Sequence, residues 1–236
     1  MKPTIYIITH KDFSSVVASD QYKVIDTREF RDKVDLPLKD DFYSEFFTFK
    51  YLRDNVDIPS SIGFCHYRRY FSFGDEIPSL DEDKVIVTKQ MVFNGTVRDQ
   101  YRACHNIDDL NIIESIVSVH YPQYKESMER FLEGNKFIPC NMFIMDGNKF
   151  KELVDFVMDV LERYLKIVGT DIRKRLEDNK DKYLKGFYPN STVDYQYRIG
   201  GFLGERLVNI FILHNFKNID DGYDMVVTED KYNKKG

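Results

Sequence analysis

Apolar residues along this chain fall into two patterns, short unbroken runs that read as buried strands and stripes at helical spacing that read as amphipathic helices. Thr4 to Thr9 (TIYIIT) predicts a buried first strand ending at His10-Lys11-Asp12, and Tyr22 to Ile25 a second ending at Asp26. After a loop carrying Pro37, Asp41 through Asn55 reads as a helix, with Phe42, Glu45, Phe46, Phe49 and Leu52 at helical spacing. A central strand follows at Ile62, and Lys84 to Thr88 forms a short β-branched one. Asp108 and Asp109 suit the start of a helix whose face is Leu110, Ile113, Ile116 and Val117, and Pro122 opens another through Met128 and Phe131. Phe137 to Met145 reads as one buried strand, and Phe150 to Val168 as the clearest helix, with one apolar stripe throughout. Residues 169–190 turn polar and read as an excursion or flexible loop over the site; Gly200 to His214 resumes as helix and Tyr223 to Thr228 as a last strand. Alternating strands and helices predict an α/β fold with a mostly parallel central sheet and helices on both faces, in a single domain over 1–236.

The segment Ser61-Ile62-Gly63-Phe64-Cys65-His66-Tyr67-Arg68-Arg69-Tyr70-Phe71 carries the strongest chemical signal. An apolar strand runs without a break into one histidine and two adjacent arginines, so it delivers cations at its carboxyl end, where open α/β sheets hold ligands. Arginine forks pair with phosphate oxygens. The other reading of these cations is a buried salt bridge with a helix carboxylate such as Glu45.

Composition narrows the function. A net charge of −5 gives no footprint for nucleic acid, and only Lys231 to Lys235 forms a basic end, which reads as frayed. Cys65, Cys104 and Cys140 are odd in number and far apart, which favours free thiols over disulfides or a metal cluster. The first residues lead directly into a strand and no run approaches the ~20 apolar residues of a membrane span, so a cytoplasmic protein with at most peripheral membrane association is expected.

Several residues stand where a ligand would be. Thr9, His10 and Lys11 close the first strand, where Rossmann-like halves bind a nucleotide, although an ordinary strand-end turn reads equally well. No Gly-x-Gly-x-x-Gly loop is present, which argues against a dinucleotide dehydrogenase. Asn141 interrupts an apolar strand, so its amide either fixes a local turn or binds sugar hydroxyls. His105 with Asn106 offers groups for pyrophosphate or acceptor, beside the alternative of helix capping. Asp81-Glu82-Asp83 is a formal Asp-x-Asp, but it precedes its strand and reads as a solvated turn.

Gly63 through Phe71, Gln100-Tyr101 with His105, Tyr121-Pro122-Gln123-Tyr124, Asn141 through Met145 and Arg198 through Leu207 resemble, in the same order, a bacterial capsular and exopolysaccharide family, domain of unknown function 4422. The Asp26 to Tyr43 stretch is shorter than the family's usual insert, a departure that bears on acceptor choice, while Tyr43-Ser44-Glu45 matches. The resemblance implies a glycosyltransferase of the GT-A kind, moving galactose or galactofuranose from a UDP-sugar donor to a glycan acceptor, lipid-linked, in surface-polysaccharide synthesis. In common GT-A enzymes the strand corresponding to Ile62 to Cys65 ends in a metal-binding Asp-x-Asp, whereas this one offers His66, Tyr67, Arg68 and Arg69. Fixed arginines can neutralise a leaving diphosphate as a metal does, so no metal ligands are assigned and a need for manganese or magnesium stays open. The resemblance also makes Glu205, after Gly200, Gly201 and Gly204, the expected general base in the first turn of a helix, with Asp194 in reserve. The other reading pairs Glu205 with Arg206 or Arg198. A non-catalytic nucleotide-sugar sensor or assembly subunit is the alternative function.

Overall fold

The computed structural model describes residues 2–81, 83–185 and 192–228. In chain order the elements are β1 (Thr4–Thr9), β2 (Tyr22–Asp26), α1 (Asp40–Tyr43), α2 (Glu45–Asn55), β3 (Ser61–His66), β4 (Arg69–Phe71), β5 (Lys84–Thr88) and β6 (Met91–Val92). Then come α3 (Val97–Cys104), α4 (Ile107–His120), α5 (Lys125–Glu133), β7 (Lys136–Phe137), β8 (Phe143–Asp146) and α6 (Gly147–Val168). The chain finishes through α7 (Ile172–Asp178), α8 (Lys180–Tyr183), α9 (Val193–Gln196), α10 (Ile199–Asn215), β9 (Asn218–Tyr223) and β10 (Met225–Val227).

The fold is mixed α/β around a central sheet whose long ladders are parallel: β1 lies between β2 and β3, and β5 beside β9. Shorter antiparallel pairings join β8 to β3 and β5, and β4 to β3 and β10. Every residue of β3 is buried, as its unbroken apolar run requires of a strand covered on both sides. Period-two alternation sends Tyr6, Ile8, Ile62 and Phe64 into one core and Ile5, Ile7 and Cys65 into the other.

The two faces differ from expectation. The first core is covered by helices, α6 packing against α2, α4 and α10. The second core draws on strands and on loop residues such as Phe13, Val17, Ile77 and Leu80, with no helix residue among those described. The helices therefore gather on one face rather than both.

Three predicted elements are subdivided. The helix read over Asp41 to Asn55 breaks at Ser44, which turns with φ 53° between α1 and α2. The strand read over Phe137 to Met145 is split into β7 and β8 by a turn in which Cys140 and Asn141 have φ 66° and 51°. The strand read from Tyr223 is the join of β9 and β10. The polar stretch after Gly169 holds α7 and α8; its end at 186–191, like Lys231 to Lys235 and Glu82, lies outside the described residues. Those helices dock through Arg175, which donates to the buried Asp109 at 2.6 Å, where the Tyr164 and Tyr183 hydroxyls also donate at 2.7 and 3.2 Å. Among the described residues no helix is long and apolar enough to cross a membrane.

Close packing of α10 on α1 and α2 depends on Gly200, Gly201 and Gly204. A Cβ there would stand 2.5 Å from the Phe42 ring, 2.4 Å from Ser44 Oγ and 2.3 Å from the Phe46 ring. These glycines lie inside the helix, not in a turn before it, and Glu205 consequently sits in the second helical turn.

Candidate functional site

The carboxyl ends of β1 and β3, the Ser44 break, the Cys140-Asn141 turn and the start of α10 enclose a cleft of about 630 Å³. Its volume lies in the range of ligand pockets. Of the residues expected at a site, His10, His66, Tyr67, Arg68, Arg69, Asn141, Asp194 and Glu205 all line it.

Cations crowd the sheet end. Arg68 and Arg69 follow β3 across a tight turn, and the Arg68 guanidinium lies 5.0 Å from the Tyr67 ring centre, with the Lys11 ammonium at 5.1 Å. Arg69 makes no side-chain hydrogen bond or ion pair among the described residues. Arg198 gives its Nε to the Ser44 hydroxyl at 3.2 Å and meets no carboxylate at ion-pair distance among the described residues. Arg31 and Arg173, by contrast, are held by Asp40 at 2.7 Å and Asp194 at 2.9 Å. His10, edge-on to Tyr67, is pushed below the ordinary imidazole value by burial and then by the charges of Lys11, Arg198, Arg31 and Arg68. Such a basin attracts an anion.

Two carboxylates face these cations from separate helices. Glu45, at the start of α2, lies 3.4 Å from His66 Nδ1 and accepts from the Asn141 amide at 3.3 Å. Burial works to raise its carboxyl, but His66, Arg198, its own backbone N–H and Asn141 outweigh burial and hold it below the ordinary glutamate value. Glu205 accepts the Cys140 N–H at 2.6 Å and Arg206 Nη1 at 3.2 Å. For Glu205 burial prevails, and its carboxyl is raised. Two neighbouring acids whose environments drive them in opposite directions form the usual starting point for dividing acid and base work.

Asn141 is the most exposed to chemical demand while being only 4% accessible: its Oδ1 is buried without a hydrogen-bond partner among the described residues. A buried amide oxygen in a cleft wall is costly unless something donates to it.

Other expected residues are elsewhere. The Thr9 hydroxyl donates to Lys11 O at 2.5 Å and accepts its N–H at 3.1 Å, closing the strand-end turn, and neither Thr9 nor Lys11 lines the cleft. His105 lies behind it, stacked on Phe202 at 4.1 Å with Nδ1 3.0 Å from Gln196 Oε1. Burial, helped by Arg206, lowers it to about 3, so it is a neutral packing residue rather than a phosphate ligand; Asn106 caps α4. Gln100 and Tyr101 serve the same support, the first accepting from Arg206 Nη2 at 2.7 Å and the second lying under its guanidinium. Asp194 is on the outer rim, its side chain 85% exposed. The acid that meets the strand-end charges is Glu45, through His66 rather than through an arginine. Neither Glu45 nor Arg198 was singled out as a ligand residue by its spacing; both lie within segments that carried the family resemblance. Among the described residues no three His, Cys, Asp or Glu side chains converge as a metal-holding group.

Comparison with known proteins agrees with this architecture. The chain superposes on the apo structure of WbbM, described as a bifunctional glycosyltransferase, with a TM-score of 0.73 and 17% identity over 98% of its own length. It spans 46% of that chain, so the likeness is one of fold to part of a larger protein. Among curated proteins none matches. The family described as Domain of unknown function (DUF4422) matches residues 4–216, nearly the whole sequence, and the chain belongs to that family.

Proposed function

We propose that this chain is a GT-A-type glycosyltransferase, acting as one domain, that moves a hexose from a UDP-sugar to a hydroxyl of a growing surface polysaccharide, with a lipid-linked acceptor at the membrane's inner face. The observation that carries the reading is the buried, unpartnered Asn141 Oδ1 set beside a cationic basin in one cleft. A sugar hydroxyl satisfies the first and a diphosphate the second.

In this reading Arg68 and Arg69 take the diphosphate and stabilise charge on the leaving nucleotide, with Arg198 across the cleft. Asn141 orients the donor sugar. Glu205, raised by burial, takes the acceptor proton once ionised, which suits an inverting transfer. Galactose and galactofuranose are the sugars the family resemblance favours.

Calorimetric titration with UDP, GDP, CMP and UDP-galactose, each with and without EDTA, tests the donor site. Selective UDP binding that survives EDTA is expected from an arginine clamp; tight binding only with manganese would overturn the clamp, and no binding would overturn the donor class. A second reading, a nucleotide-sugar-binding subunit without turnover, draws on the fact that both Glu205 oxygens are already engaged. Full complementation of polysaccharide synthesis by Glu205→Gln would favour it.

A further inference from the structure

Among the described residues Asn141 supplies the one side-chain amide that lines the cleft, from a turn whose backbone conformation Cys140 in particular resists. Neither residue is glycine, yet both occupy the left-handed region, where a Cβ crowds the following carbonyl. Such a turn persists only when its surroundings hold it. Here Glu205 takes the Cys140 N–H at 2.6 Å, and His66 Nε2 meets the Cys140 carbonyl oxygen, also at 2.6 Å. Glu45 takes the Asn141 amide, and the other Glu45 oxygen lies 3.4 Å from His66 Nδ1.

The donor and acceptor inventory fixes the direction of each bond. A carbonyl oxygen can only accept, so the His66 nitrogen facing Cys140 carries a proton. An ionised carboxylate likewise only accepts, so the Asn141 atom facing Glu45 is the NH2 group. Flipping the amide would set its carbonyl against the carboxylate. The oxygen is thereby directed away from Glu45, and it is the atom left buried without a partner in the cleft wall. His66, 7% exposed, commits Nε2 to the Cys140 carbonyl oxygen and holds Nδ1 3.4 Å from Glu45 Oε1, so its ring is fixed between the turn and the helix.

We propose that Glu45 and His66 are positioning residues that lock Asn141 with its carbonyl oxygen toward the cleft, so that the site selects a donor sugar bearing a free hydroxyl at the contacted carbon. This rests on the nucleotide-sugar reading. A hydroxyl there donates its proton to Asn141 Oδ1, whereas a deoxy or fluorinated carbon has nothing to donate and leaves the oxygen orphaned.

The test titrates wild type, Glu45→Gln and Asn141→Ala with UDP, with UDP-galactose and with its monodeoxyfluoro derivatives at each hydroxyl in turn. One derivative should bind wild type about tenfold more weakly than UDP-galactose, the order of one lost hydrogen bond. That ratio should collapse toward one in both variants, because glutamine can donate as well as accept and frees the amide to flip, and alanine removes it. UDP itself should bind both variants no more weakly than wild type. A merely structural role for Glu45 would lower the thermal midpoint and leave the ratio intact. Persistence of the ratio in Asn141→Ala, or in a folded Glu45→Gln, overturns the proposal, as does equal binding of every derivative to wild type. Failure of wild type to bind UDP overturns instead the nucleotide-sugar reading beneath it, and the proposal with it.

Discussion

Two of the places where acids meet polar and basic side chains out of bulk water are built differently. Around Asp109, 1% exposed, Arg175 and two tyrosine hydroxyls converge on one oxygen and tie α7 and α8 to α4 and α6. Around the Cys140-Asn141 turn, Glu45 and Glu205 are each about one-fifth exposed and hold a strained backbone at the edge of a cleft. Both places leave a polar atom unbonded, Asp109 Oδ2 in one and Asn141 Oδ1 in the other. The first is sealed in the core, 1% exposed, so its orphan is a cost of docking two helices. The second belongs to a residue of the cleft wall, beside the space a ligand would fill. Both atoms are buried, and what separates the two networks is that Asn141 belongs to a cleft wall while Asp109 belongs to a helix-packing seam.

The sharpest way to break this contrast is Glu205→Gln. Loss of the proposed general base should lower kcat by about 10²–10⁴-fold while the protein stays folded and binds UDP. In wild type the acid limb of kcat/KM should lie above 4.5, the ordinary glutamate value, because burial raises this carboxyl and activity falls as it is protonated. The limb should disappear in the variant.

Arg175→Met should act on the other cluster alone, lowering stability by about 3 kcal/mol in urea denaturation without weakening UDP binding by the folded protein. Asp109 is already raised by burial, and without Arg175 it is raised further. The folded state then keeps a proton that the unfolded chain releases above 3.8, so the deficit opens as pH rises through that value toward the folded one. A loss below about 0.5 kcal/mol, the ordinary size for surface substitutions, would show the cluster to be ornamental.

Arg69→Ala should weaken UDP binding by about 1.5–3 kcal/mol, the range for a hydrogen bond to a charged group, with stability unchanged; unaltered calorimetric affinity would remove it from the clamp. Gly204→Ala should cost about 1–3 kcal/mol of stability by overpacking, since its Cβ would stand 2.3 Å from the buried Phe46 ring. A thermal midpoint equal to wild type would mean that α10 and α2 can part at no cost.

Much of the fold could be read from apolar period alone, because β1, β3, β5 and α6 are long or uniformly apolar enough to declare themselves. The breaks could not. Ser44 and Cys140 have no side-chain preference for left-handed backbone, and each lies within a longer run whose apolar spacing resumes on both sides; only Pro139 and Asn141, a strand-breaking residue and one that tolerates that conformation, marked the second break. The cationic end of β3 was legible because three basic or polar residues interrupt a buried run. Glu45 was legible only as a salt-bridge partner of the strand-end cations, and Arg198 only as a partner of Glu205; their place in the cleft wall, at the start of α2 and just before α10, emerges where the chain returns to the strand ends. His105 misled for the opposite reason: a histidine beside a helix start suggests an anion site, but Gln196 and Phe202, distant in sequence, enclose it.

The glycine face of α10 has a consequence for how the protein tolerates change. Gly200, Gly201 and Gly204 let the helix bearing Glu205 touch the segment bearing Glu45 with only rings and a hydroxyl between them. The spacing of the two acids is therefore gauged by residues with no chemistry of their own. A random screen for loss of function should return substitutions at these glycines alongside those at the acids, and a homology search for this cleft would do well to weight the spacer as heavily as the charges it separates.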